Sequence, residues 1–198
     1  MPTCGRSTLA RAITSVTSQL NSQDELIVIG DGAQGMARRE ALRHGAIYAE
    51  TPRPTKAWGN AQRQLGLHMA NGNYLAFCDD DDAMVPGAIR AIRNAIAVYP
   101  ERPLMFRMDV SNYGFAKIER VRLLWRRPKL EQGNVGTPMF VVPNVRERLG
   151  SWDSTRHEQD FHFITQTVER YSTDALVWLD DVICICRPSE DITGEQER

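Results

Sequence analysis

Apolar positions along the first hundred residues switch between two periods. Leu9, Ala12, Ile13, Val16 and Leu20 recur at helical spacing, and Ser7 stands where a capping hydroxyl is expected. Glu25 to Ile29 is too short and too continuous for a surface helix and predicts a buried strand, ended by Gly30, Asp31 and Gly32. The same reading predicts helices over Ala33 to His44, Trp58 to Ala70 and Pro86 to Val98, with strands over Ala46 to Glu50 and Tyr74 to Cys78. Strands alternating with helices imply right-handed crossovers and a parallel sheet with helices on both faces. In such a sheet Asp31 and the residues after Cys78 emerge on one edge.

From Pro103 onward the rhythm changes. Leu104 to Val110 and Tyr113 to Trp125 read as extended, and Met139 to Val142 as a short apolar strand. Glu158 to Tyr171 reads as a helix with Phe161, Ile164, Val168 and Tyr171 along one stripe, and Val177 to Cys186 as a strand. No internal repeat or low-complexity linker divides the chain. The expectation is therefore one domain over residues 1–198, with a first half (1–102), a second half (103–188) and a polar tail (189–198).

Composition narrows the class. A chain of 198 residues, 42% hydrophobic and 25% charged, suits one globular core. The net charge of -1 argues against a nucleic-acid grip based on bulk electrostatics. No apolar run approaches the roughly 20 residues of a membrane span, and no signal-peptide pattern opens the chain, so a cytoplasmic setting is expected. Cys78, Cys184 and Cys186 lie in apolar runs and read, with Cys4, as reduced thiols, because paired CxxC spacing and accompanying histidines are lacking.

The chemistry concentrates after the strand at Tyr74, which runs into Asp79, Asp80, Asp81 and Asp82. Carboxylates a few ångströms apart repel by several kcal/mol at a protein-like dielectric, so a cation is expected among them. Hard oxygen ligands beyond the carboxyl end of a strand suit Mn²⁺ or Mg²⁺ bridging to a diphosphate. A solvated acidic loop before the next helix is the plainer alternative.

Four segments in order, Pro2 to Arg6, Leu26 to Asp31, Gly59 to Arg63 and Gly72 to Asp82, resemble the nucleotide-binding half of the family-2 glycosyltransferases. Gly150, Ser151 and Trp152, followed by Glu158, Gln159 and Asp160, look like that family's Gly/Trp segment and its acidic base motif. The resemblance implies an α/β, GT-A-like (Rossmann-like) fold with a mostly parallel central sheet. It also implies an inverting, metal-dependent enzyme moving a hexose from a nucleoside diphosphate sugar, UDP-sugar being the expected donor, to an acceptor hydroxyl.

Position by position, the resemblance puts Thr3 and Arg6 against the nucleoside and makes Asp31 the acceptor for the base, although Asp31 also suits a turn before Gly32. Asn60 and Arg63 open a helix facing the nucleotide, Arg63 being otherwise a helix surface cation. Asp79 and Asp81 take the DxD places, with Asp81 the direct metal ligand, Asp79 toward ribose or metal, and Asp80 and Asp82 as neighbouring acceptors, Asp79 and Asp80 counting among the donor contacts. Asp160 matches the general base, with Glu158 as the alternative; otherwise the two are an acidic first helical turn. Trp152 is a core residue or a sugar contact.

Two departures stand out. The family often supplies a late histidine to the metal, but the last histidine here is His162, so either Arg187 replaces that charge at the diphosphate or the site makes do with fewer protein ligands. The family's first strand also precedes its Pro-Thr loop, whereas here that loop follows Met1 directly. The expectation is an upstream continuation of about four to eight apolar residues. A sugar nucleotidyltransferase, or a nucleotide-sugar-binding module without turnover, are the alternative functions. The acceptor is not legible.

Overall fold

The computed structural model describes residues 1–112, 123–152 and 158–187. The expected tail and most of the Tyr113 to Trp125 segment lie outside the described residues. In chain order the elements are β1 (Pro2–Thr3), α1 (Leu9–Thr17), β2 (Ile27–Gly30), α2 (Gly35–Arg43), β3 (Ile47–Glu50), α3 (Asn60–Met69), β4 (Tyr74–Ala76), β5 (Ala83–Met84), α4 (Ala88–Val98), β6 (Leu104–Asp109), β7 (Leu123–Leu124), β8 (Phe140–Pro143), α5 (Gln159–Tyr171) and β9 (Val177–Ile185).

These elements form an α/β structure, but the strands divide into two sheets. The first has the order β1-β2-β3 and is parallel throughout, with Thr3 opposite Gly30 and Ile29 opposite Ala49. The second has the order β4-β8-β6-β9-β5, with β7 paired to β6. Only its β6–β9 pair is parallel, so the expectation of a mostly parallel arrangement holds for the first sheet while the second is mixed. In the first sheet each parallel pair is joined by a helical crossover, α1 between β1 and β2 and α2 between β2 and β3.

Packing explains why the apolar runs became strands. Leu104, Met105 and Phe106 of β6 and Phe140, Val141 and Val142 of β8 are all essentially inaccessible, so both faces of these strands are covered and their sequences are continuous rather than alternating. Full burial of each such side chain contributes about 1.5–3 kcal/mol. Leu9, Ala12, Ile13 and Val16 are the buried stripe of α1, as their spacing predicts. The cap does not follow the expectation. Thr8, not Ser7, precedes the helix, and its Oγ1 donates to the Asp80 carbonyl (2.7 Å) instead of capping its own turn. The helix start is thereby tied to the acidic segment.

One glycine is required by space. Gly59 has φ of +84°, and a Cβ there would come within 2.9 Å of Pro2 and 2.8 Å of the Arg63 guanidinium. It lets the entry to α3 press against β1, which sets Asn60 and Arg63 beneath the acidic segment.

Candidate functional site

Three carboxylates converge just beyond β4. Asp79, Asp81 and Asp82 each offer an oxygen, and these atoms lie within 4.8 Å of one another. Asp82 is buried, and burial together with the neighbouring Asp79 pushes its pKa up to about 7. Strand alternation alone would have pointed Asp82 away from Asp79 and Asp81. The chain instead leaves the extended conformation after β4, and a turn in which the Asp82 amide donates to the Asp79 carbonyl (3.2 Å) turns Asp82 inward.

Asp80 does something different. Its carboxylate accepts from Thr3 Oγ1 (2.7 Å) and the Cys4 amide (3.3 Å), and the residue is 6% exposed. Burial raises its pKa, against the lowering effect of Thr3 and Arg6. Sequence reasoning grouped Asp80 with the donor contacts. The structure gives it to the junction between β1 and the acidic segment, which also absorbs the Thr3 hydroxyl.

Two arginines meet the cluster from distant parts of the chain. Arg6 pairs with Asp81 and lies 3.6 Å from Asp80, while Arg187 Nε reaches Asp81 Oδ2 at 3.0 Å and its amide donates to Asp82 Oδ1 at 3.1 Å. The Arg187 side chain is 54% exposed. Together with Ser7, Thr8 and Arg11 these residues line an open recess of about 400 Å³. Arg187, predicted to stand in for a late histidine, thus reaches the acidic run.

Asp31, at the end of β2, is satisfied without a cation. It accepts from the Thr55 amide (2.6 Å), Thr55 Oγ1 (2.8 Å), the Lys56 amide (3.0 Å) and Gln62 Nε2 (2.6 Å). Burial works to raise its pKa, but these four donors outweigh it and hold the carboxyl below its ordinary value. Three of the bonds fall on Oδ1, which leaves room on Oδ2 for a further donor.

Arg63 is buried and links the two groups of carboxylates. It pairs with Asp79, donates to the Trp58 carbonyl (2.9 Å) and lies 5.1 Å over the Trp152 ring. Burial opposes its charge, while Asp79 and Asp160 hold the proton on it, and the net shift is upward. It is not the surface cation that helix position alone allows. Asn60 is buried at the first turn of α3.

Trp152 is a correction. It is 2% exposed, stacked on Phe163 at 4.7 Å, with Phe77 at 6.3 Å and Arg63 on its ring, so no face is free for a sugar. Asp160 lies in the first turn of α5, where Oδ2 accepts from Thr137 Oγ1 (2.8 Å) and the Thr137 amide (3.3 Å). Glu158 is exposed and precedes the helix, with no side-chain capping bond. Thr137 was not foreseen. Its only sequence signal is the turn chemistry of Gly136 and Pro138, which says nothing about Asp160.

The model for glycosyl transferase family 2 matches residues 1–145. The chain belongs to that family. No curated protein sequence matches it. Among solved structures, S. aureus TarS 1-349 in complex with UDP-GlcNAc superimposes with a TM-score of 0.73 at 14% identity, over 96% of this chain and 57% of that one. Glucosyl-3-phosphoglycerate synthase from Mycobacterium tuberculosis, in complex with Mn²⁺, UDP and glucosyl-3-phosphoglycerate, gives 0.62 at 16% identity, over 95% and 70%. These likenesses show the GT-A glycosyltransferase fold. The chain spans only 36% of a longer TarS structure and 58% of TarS 1-349. Among the described residues, no helix is long and apolar enough to cross a membrane.

Proposed function

We propose that this chain is an inverting, metal-dependent glycosyltransferase that moves a hexose from a UDP-sugar to an acceptor hydroxyl in the cytoplasm. Residues 1–102 hold the donor and residues 103–188 face the acceptor within one domain. The observation that carries this reading is the set of Asp79, Asp81 and Asp82 oxygens within 4.8 Å of one another, facing Arg6 and Arg187. Family membership, together with the UDP-GlcNAc bound to TarS and the UDP bound to glucosyl-3-phosphoglycerate synthase, supports the donor class. The four cysteines are free, in keeping with a reducing compartment.

The donor set fits a divalent cation. All three groups are hard oxygens, and burial, with Asp79 beside it, raises the Asp82 pKa although Arg6, Arg63 and Arg187 pair with its neighbours. Asp81 and Asp79 hold Mn²⁺ or Mg²⁺ in this reading, with Asp82 joining them. The bound ion would stabilise charge developing on the departing diphosphate.

The remaining roles belong to the chain itself. Arg6 and Arg187, exposed enough to turn toward a ligand, carry the diphosphate charge from the recess. Asp31 receives the nucleobase through Oδ2, held still by Thr55 and Gln62. Asn60 and Arg63 form the floor, Arg63 fixing the Asp79 carboxylate. Thr3 contributes through Asp80, by holding the acidic segment to β1. Asp160 takes the acceptor proton. Thr137 engages Oδ2, and among the described residues Oδ1 carries no hydrogen bond, so that oxygen can accept from the attacking hydroxyl.

Calorimetry with UDP, with and without Mn²⁺, combined with mass spectrometry of a UDP-sugar incubated with candidate acceptors, tests the reading. Mn²⁺-dependent UDP binding and release of UDP on transfer are expected. Binding without any turnover across acceptors and water would leave a nucleotide-sugar-binding module, and no binding would remove the donor assignment.

A further inference from the structure

The chain carries a net charge of -1, yet Arg126, Arg127 and Lys129 place three cations within four residues. Arg126 is exposed, and the side chains of Arg127 and Lys129 are 62% and 61% exposed. Glu131 offsets one of the charges, 2.7 Å from Arg127 and 4.0 Å from Lys129. Exposed pairs of this kind contribute little, so the segment remains a cationic surface. A charge run is commonly no more than a solvated loop, but this loop is built to hold its shape.

Both of its ends are fixed from inside. Trp125 is buried, with the Trp178 ring edge-on at 5.3 Å and the Arg107 guanidinium 4.2 Å over its face. Arg107 is held there by Asp180, which accepts from its Nε at 2.9 Å. At the other end Asn134 is 1% exposed and its side chain is bonded to the loop. Its Oδ1 accepts from the Arg126 amide (2.8 Å), and its Nδ2 donates to the carbonyls of Arg127 (2.9 Å) and Lys129 (2.7 Å). A loop fixed in this way loses less freedom when its cations engage a ligand. It also leads straight to Asp160. Gly136 follows Asn134 by two residues, and a Cβ there would stand 4.0 Å from Asp160 Oδ2, the oxygen that accepts from Thr137. Two residues span at most about 7 Å of chain, so the carbonyls held by Asn134 lie within about 20 Å of the Asp160 carboxylate.

We propose that Arg126, Arg127 and Lys129 recognise an anionic group, phosphate or carboxylate, on the acceptor whose hydroxyl meets Asp160. Arginine presents paired donors that match the oxygens of either group, and lysine adds a point charge. With a net charge of -1, the chain as a whole does not attract an anionic acceptor, so a local group of cations has to. The donor diphosphate has cations of its own in Arg6 and Arg187, which line the separate recess beside Asp81. The proposal rests on the reading of Asp160 as the base and adds the chemical class of the acceptor to it.

The test is amide NMR of the chain with UDP and Mg²⁺ in excess, titrated with glycerol 3-phosphate, glycerate and glycerol. The anions are expected to shift the amides of Arg126, Arg127 and Lys129 together with that of Thr137, and glycerol to leave the loop amides unmoved. R126Q/R127Q/K129Q is expected to weaken anion binding by about 10-fold or more, whereas R38Q/R39Q/R43Q, which removes the same charge from exposed positions of α2, leaves it unchanged. Tighter binding of glycerol 3-phosphate than of glycerate would assign a phosphate-bearing acceptor, and the reverse order a carboxylate. Equal affinity in the parent and the loop variant would overturn the proposal, as would loop shifts that leave Thr137 unmoved. If UDP and Mg²⁺ shift neither Asp31 nor the acidic run, the donor assignment falls, while the anion titration still decides the role of the loop.

Discussion

Asp31 and the Asp79–Asp82 run both leave the ends of strands, yet their surroundings are opposite. Asp31 accepts four hydrogen bonds from two amides, a hydroxyl and a side-chain amide, and is held below its ordinary pKa. Asp82 is buried beside Asp79, and burial first, then that neighbouring charge, pushes its pKa up to about 7. A carboxylate satisfied by neutral donors is a finished part of the fold, with one lone pair to offer a ligand. Carboxylates set against each other are unfinished, and gain most from a cation. Asp160 is intermediate, with one oxygen held by Thr137 and the other unengaged among the described residues.

The sharpest way to separate these three environments is to remove charge from each in turn. Asp160→Asn keeps the shape and the Thr137 bond, so UDP affinity should survive while the transfer rate falls by about 10² to 10⁴. Steady-state kinetics beside calorimetry would check this. Unchanged transfer would move the base to Glu158.

Asp81→Ala removes the carboxylate on which Arg6 and Arg187 both sit. Mn²⁺-dependent UDP affinity should fall by about 100-fold or more, with Tm altered by no more than about 3 °C, because the pairs lost are partly exposed. If affinity held, the acidic run would be a structural feature like Asp31 and the contrast would collapse.

Asp31→Ala should show the reverse pattern. The Thr55 and Lys56 amides and Gln62 lose their acceptor, for an expected loss of about 3 kcal/mol, close to 10 °C in Tm for a chain of this size. Thermal unfolding without ligand measures it. A Tm equal to the parent's would mean that water replaces those bonds and that Asp31 is held for its ligand alone.

The smallest effect is the pH dependence. The folded chain keeps the Asp82 proton to about pH 7, whereas the ordinary carboxyl releases it at 3.8, so between these values the folded state binds more protons than the unfolded one. Stability is therefore fully present below about pH 4 and is lost as pH rises toward 7. Asp82→Asn should flatten that slope in unfolding curves taken without divalent cations, and Mn²⁺ at pH 7 should restore stability to the parent only. A parent curve flat from pH 4 to 7 would show that the carboxylates are already neutralised.

Much of this site could be read before folding was considered. Asp31 after an apolar run, Asn60 and Arg63 at a helix start, and four aspartates after a strand are local patterns, and each lies where its pattern implied. Arg187 was reachable as the last cation after the final strand. Thr137 was not, because the bond to Asp160 spans 23 residues and its own neighbours carry no matching pattern. Trp152 was left open between core and sugar contact, because an aromatic side chain suits both; Phe163 and Arg63, brought from two helices, decided for the core.

The order of helices and strands was determined by the sequence itself, because periodicity and turn residues act over a few positions and need no distant partner. Tertiary structure alone decided which carboxylates face one another. A run of four acids contains no record of which will turn inward, and that was settled when Thr3 and Thr8 bonded Asp80 and when Arg6 and Arg187 reached Asp81 from near opposite ends of the described chain. Charge interactions act through space and not along the chain, so the chemistry of Asp79–Asp82 belongs to the fold as much as to its letters.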